Sequence, residues 1–90
     1  MKVMHFVPSD VRARVCQLLE KRGNELIHLA YGTEYEHNTV FFVGISRKCN
    51  AETPCCYKVI SYNSEKDELW QDDESQTYAK ALIKMGACIE

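Results

Sequence analysis

Apolar positions along this chain follow two periods, a helical one near each end and a two-residue one between them. Val11, Val15, Leu18 and Leu19 recur at three- and four-residue spacing, with Cys16 beside them. Arg12, Arg14, Gln17 and Lys21 fall mostly on the opposite side. This predicts a helix over residues 9–22. Pro8-Ser9-Asp10 offers its start, with Ser9 or Asp10 as the cap. Lys21 and Arg22 suit the negative end of the helix dipole, and Gly23 supplies a left-handed stop. Tyr78, Ala81, Leu82 and Met85 form a second stripe, which predicts a helix over 75–85 that ends at Gly86. Asp73 and Gln76 have capping-box spacing ahead of it.

Between the helices the period drops to two. Residues 25–31 place Ile27, Leu29 and Tyr31 on one face and Leu26, His28 and Ala30 on the other. Residues 39–46 are the clearest strand, with Phe41, Val43 and Ile45 facing one way. Residues 55–62 read as a third strand, whose faces are Cys55, Tyr57, Val59, Ser61 and Cys56, Lys58, Ile60, Tyr62. Pro54 stands where proline is tolerated, at the strand start. Short connections make an antiparallel meander the default. Lys2 to Val7 alternates loosely and adds a possible short N-terminal strand. The expected fold is α+β: helix, three-stranded antiparallel sheet, helix, with both helices on one face of the sheet and all 90 residues in one domain.

Composition narrows the function classes. A net charge of −2 supplies no global basic field for nucleic acid or an anionic membrane. The longest apolar run, Val40 to Val43, is far too short to span a bilayer. Met1 to Val7 opens positive and apolar, but Asp10, Arg12 and Arg14 cut it short of a signal peptide. A cytoplasmic, reducing compartment is the expectation. The cysteines agree: Cys16, Cys49, Cys55, Cys56 and Cys88 make an odd count, which suits free thiols rather than a disulfide framework. Their spacing lacks the paired C-x2-C pattern of a zinc site, and His5, His28 and His37 are the only nitrogen donors to complete one. No cofactor or metal is expected. No Gly-rich phosphate loop, nucleophile elbow or paired-carboxylate motif is present, and no catalytic residue is assigned.

Residues 63–74 are the most polar stretch. Glu65, Asp67, Glu68, Asp72, Asp73 and Glu74 stand there against Lys66 alone, and Leu69-Trp70 sits in their midst. A tryptophan framed by carboxylates fits an interface anchor with a charged rim, and it fits equally a plug in the domain's own core. Tyr31, Tyr35, Tyr57 and Tyr62 raise the question of a stacking platform for bases. With only Arg47, Lys48 and Lys58 nearby, cross-strand packing is the favoured reading.

The layout resembles the double-stranded RNA-binding domain over residues 11–85. Lys21-Arg22-Gly23 resembles the end of that family's first helix. His37 followed by Phe41, Val43 and Ile45 resembles its loop histidine and second strand. Ser75, Ala79 and Lys80 fall where its terminal helix carries a serine and an alanine–lysine pair. The resemblance implies the helix–sheet–helix fold. It also implies phosphate-clamping lysines after the serine, where this chain has Gln76 and Thr77. Tyr35-Glu36 replace the glycine–proline turn before the histidine. The acidic approach to the last helix would repel a phosphate backbone.

The expectation is therefore a non-enzymatic protein-binding module, an inhibitor or adaptor of the compact kind found among viral accessory factors. Its partner surface would be Glu65, Asp67, Glu68, Leu69, Trp70, Asp72, Asp73 and Glu74. The alternative is a degenerate double-stranded nucleic-acid binder.

Overall fold

A computed structural model describes residues 7–34 and 40–87. Six elements follow one another: α1 (Ser9–Glu20), β1 (Asn24–Glu34), β2 (Val40–Lys48), β3 (Tyr57–Asn63), β4 (Glu68–Gln71) and α2 (Tyr78–Ala87). The strands form one antiparallel meander in the order β1-β2-β3-β4. The class is α+β, as the periodicity implies. The expected strand over Lys2 to Val7 lies outside the described residues except for Val7, which packs against the α1 core. His5, His37 and Cys88 also lie outside them.

Two features of the expected arrangement are corrected. The first is the number of strands. Residues 68–71 form a fourth strand, with Tyr62 opposite Leu69 and Ser61 opposite Trp70. Its turn contains neither glycine nor proline. Asn63 does that work: its Oδ1 accepts from the backbone N–H groups of Glu65 and Lys66 at 2.9 and 3.2 Å. Asp67 then takes the left-handed conformation at φ 54.

The second correction concerns the helices, which pack on opposite faces of the sheet. Val15 and Leu19 of α1 are fully buried against Leu29, Phe42, Ile60 and Tyr62, with Leu26 and Leu69 at the margin. Ala81 and Met85 of α2 pack against Val43, Ile45 and Val59, with Ile27, Ala30 and Tyr57 around them. Phe42 and Val43 are consecutive, as are Val59 and Ile60, so each pair divides between the two faces. The chain folds as three layers, helix on sheet on helix.

A bulge in β1 adjusts the predicted faces. Leu26 pairs with Ser46 and His28 with Ile45, so Ile27 is the extra residue. Leu26 and Leu29 consequently serve the α1 side, whereas Ile27 and Ala30 join the α2 side. Gly44 makes the bulge possible. A Cβ built there would stand 2.2 Å from the His28 carbonyl oxygen.

Both helix starts differ from expectation. Pro8 occupies the N-cap of α1, with no side-chain cap bond from Ser9 or Asp10. Gly23 takes the expected left-handed conformation, with φ 74 and its N–H on the Glu20 carbonyl at 3.0 Å, but the helix ends at Glu20 with Lys21 as its C-cap, so Lys21 and Arg22 lie beyond its last turn. At α2, Gln76 does not close a capping box with Asp73. Its backbone instead exchanges two hydrogen bonds with Tyr57, at 2.8 and 3.0 Å. Thr77 is the effective cap, its Oγ1 accepting from Lys80 N–H at 3.3 Å. The helix begins at Tyr78, three residues late, and Gly86 lies inside its last turn. Of the predicted stripe, Ala81 and Met85 are buried, but Tyr78 and Leu82 remain exposed.

Candidate functional site

The acidic segment becomes β4 and the turns on either side of it. Because side chains alternate along a strand, Leu69 and Trp70 part company. Leu69 turns inward and packs on the α1 cluster. Trp70 turns to the α2 side and is 58% exposed. The cross-strand row through it runs Ala30, Val43, Ser61, Trp70. Its immediate neighbour is thus a serine, too small to cover an indole. The sheet edge is not bare. Arg22 reaches across from the end of α1 to the Leu69 carbonyl and to Gln71 Oε1, both at 3.4 Å. Gln71 in turn donates to the fully buried Ser46 hydroxyl at 3.0 Å.

The six carboxylates divide by role. Asp67 is held by a forked Arg14 contact, Nε to Oδ1 at 2.9 Å and a terminal nitrogen to Oδ2 at 2.7 Å. The Tyr62 hydroxyl donates to the same carboxylate at 2.5 Å. Hydrogen bonds from Arg14 and then Tyr62 hold the Asp67 carboxyl far below the usual carboxylate range. Burial, followed by the bond to Asp67, pushes the Tyr62 phenol up to about 12. Asp72 receives Lys84 Nζ at 2.7 Å and the Glu74 N–H at 3.3 Å. Lys84 is the main cause of its lowered pKa. Asp67 and Asp72 thus carry ion pairs within the fold, to Arg14 and Lys84. Glu65, Glu68, Asp73 and Glu74 are exposed, and none of the four joins an ion pair among the described residues. Asp73 and Glu74 lie on a detour of the chain between the β4 ladder and the Tyr57–Gln76 bridge. The detour carries them off the sheet edge.

Of the tyrosines considered for a stacking platform, Tyr57 and Tyr62 lie on different faces of the sheet, and Tyr35 lies outside the described residues. Tyr62 is buried on the α1 side and Tyr57 lies on the α2 side, as their odd and even positions require. Tyr57 instead joins a cluster that sequence reasoning missed. Its ring lies 5.2 Å from that of Tyr78, with the Arg47 guanidinium 5.9 Å above it. Tyr78 stacks on His28 at 5.7 Å, and its hydroxyl meets His28 Nε2 at 2.5 Å. The members come from β1, β2, β3 and α2, so no local motif announces the cluster.

Cys16, Cys49, Cys55 and Cys56 are free thiols, with Cys56 buried and Cys49 and Cys55 exposed. Among the described residues no group of three or more His, Cys, Asp or Glu side chains is placed to hold a metal ion. No described helix is long and apolar enough to cross a membrane. No family model matches the chain, and no curated protein and no solved structure matches it either.

Proposed function

We propose that this chain is a small non-enzymatic protein-binding module, an inhibitor or adaptor that docks through the α2-side face of β4. The observation that carries the reading is the 58% exposure of Trp70 on a strand whose other apolar residue, Leu69, is tucked into the core. An exposed indole on a rigid sheet edge is a ready anchor, since it brings large contact area with few torsions to freeze. Glu68 lies on the same strand face, and Glu65, Asp73 and Glu74 lie in the flanking turns. Four carboxylates without ion-pair partners among the described residues favour a partner with a basic rim around an apolar pocket. They act mainly by steering encounter.

Affinity capture from the native host with wild-type and Trp70→Ala baits tests this. The expected result is a discrete partner whose affinity falls about 30-fold or more with the variant, which corresponds to the ~2 kcal/mol of a binding hot spot. An identical set of captured proteins at identical affinity refutes the reading. Reversal of Glu65, Asp73 and Glu74 to lysine should slow association more than it changes dissociation.

The nucleic-acid alternative is weaker on this geometry. Gln76 and Thr77, at the positions of the resembling family's phosphate-clamping lysines, are committed to the Tyr57 bridge and to capping α2. The helices also sit on opposite faces rather than together. Double-stranded RNA should give no gel shift in the low micromolar range at physiological salt. A tight, salt-sensitive shift would reverse this order of preference.

A further inference from the structure

We infer a second docking surface, a cationic patch on the α1 face of the sheet made by Arg22, Lys48 and Lys58, whose partner is an acidic polypeptide segment. Strand alternation places the lysines. Phe42 of β2 and Ile60 of β3 face α1, so Lys48 and Lys58, an even number of positions along the same strands, face it too. Lys58 pairs with Ser46, and Lys48 lies two residues beyond Ser46, held in strand geometry by its pairing with Asn24. The two lysines are thus diagonal neighbours on adjacent strands, about 7–8 Å apart. Arg22 lies just past the end of α1. Its terminal nitrogens reach Gln71 Oε1 and the Leu69 carbonyl, both at 3.4 Å. Gln71 donates in turn to the buried Ser46 hydroxyl at 3.0 Å, and the Asn24 side-chain amide donates to the Arg22 carbonyl at 3.2 Å. Ser46 is the register partner of Lys58 and Asn24 that of Lys48, so the same few residues gather all three cations.

The chain does not neutralise this charge itself. Arg22 and Lys48 are exposed and Lys58 is half-buried, and none of the three joins an ion pair among the described residues. Glu25 is turned to the α2 face, where it pairs with Arg47 at 3.3 Å. Asp67 is held by Arg14. Glu20 and Glu52 are exposed and pair with none of the three cations.

Charge sets the sign of the partner, and the rest of the molecule sets its class. The large hydrophobics exposed among the described residues, Trp70, Tyr78, Leu82 and Ile83, lie on the α2 side of the sheet, where they offer bases no stacking surface beside the patch. A net charge of −2 and the carboxylates of Glu65, Glu68, Asp73 and Glu74 oppose a long polyanion that must track across the molecule. A short run of Asp and Glu side chains engages the three cations and need go no further. Such contacts between exposed charges are weakened by salt. The patch lies on the opposite sheet face from Trp70 and stands independently of it. With both surfaces occupied, the module holds an acidic partner on one side of its sheet and a basic-rimmed one on the other.

The test is fluorescence anisotropy of a labelled poly-glutamate peptide titrated with the full chain. Binding should be measurable in low salt and fall steeply towards physiological salt. The double variant Lys48→Gln/Lys58→Gln should weaken it about 10-fold, as the loss of two exposed charge contacts allows. Lys66→Gln/Lys80→Gln makes the same change of net charge on the β3–β4 turn and on α2, and it should leave binding unchanged. Trp70→Ala should leave it unchanged as well, which separates this surface from the Trp70 anchor. The inference is overturned if the wild-type chain does not bind the peptide, if the Lys66/Lys80 pair matters as much as the Lys48/Lys58 pair, or if Trp70→Ala abolishes binding. It is overturned too if an RNA of equal charge, single- or double-stranded, binds more tightly than the peptide.

Discussion

At the scale of single residues the Arg14–Asp67–Tyr62 network makes the clearest statement about pH. The fold favours the ionised form of Asp67, so its contribution is complete at neutral pH. That contribution declines as pH falls below the ordinary carboxylate value of ~3.9 towards the lowered one. The stability gap between wild type and Asp67→Asn should therefore be widest at neutral pH and narrow in acid, as followed by urea melts across the range. Tyr62 has the opposite sign. Its neutral form is favoured, so stability is complete below pH 10.0 and lost as pH rises towards about 12. Tyrosinate absorbance should show a late-titrating phenol in the folded protein that is lost in Tyr62→Phe. None of this was legible locally. Asp67 looks like five other carboxylates, and its guanidinium partner stands 53 positions away. Gly44 offers a second residue-scale test. The 2.2 Å approach to a backbone oxygen cannot be relieved by a rotamer change. Gly44→Ala should cost at least the upper part of the ~1–3 kcal/mol typical of overpacking, read as a lower urea midpoint with an unchanged slope.

At the scale of elements, β4 divides one sequence feature into two functions. Leu69→Ala should cost about 2 kcal/mol, the lower end for buried leucines, because Leu69 sits at the edge of its cluster. Trp70→Ala should cost less than about 1 kcal/mol, well short of the ~3–5 kcal/mol of a core aromatic. Thermal melts of the two variants would separate these outcomes, and the reverse order would return Trp70 to the core. The strand escaped notice because four residues are too few for a two-residue period to stand out. Its hairpin turn also relies on the Asn63 side chain rather than on glycine or proline. The longer strands were legible from alternation. β3 divides its side chains between the faces as read, while the β1 faces failed where the Ile27 bulge shifts the phase. The late start of α2 has a similar cause, since Gln76 is drawn into a bridge with β3 and the cap passes to Thr77. Thr77→Ala should cost about 1 kcal/mol, measurable in the same melts.

At the scale of the whole molecule, the placement of the helices could not be read from their own stripes. An amphipathic helix shows that it must bury one side, not which sheet face receives it. The strands carried the relevant hint. Val40 to Val43 is an unbroken apolar run, and Val59-Ile60 continues the theme on β3, as sheets covered on both faces require. With two separate cores, substitutions on opposite faces share no partners. Ile60→Val on the α1 side and Ile45→Val on the α2 side should each cost ~0.5–1.5 kcal/mol. Their double variant should be additive within ~0.5 kcal/mol, and a larger coupling would mean that the sheet transmits packing strain between its faces. The meander itself has a kinetic consequence. Every strand pairs only with its neighbours in the chain, so the sheet closes by successive short loops, each at modest entropic cost. No segment must thread past another, and each helix docks on a face built by local pairing. Refolding should accordingly be fast for a protein with this much sheet, with neither helix obliged to wait for the other.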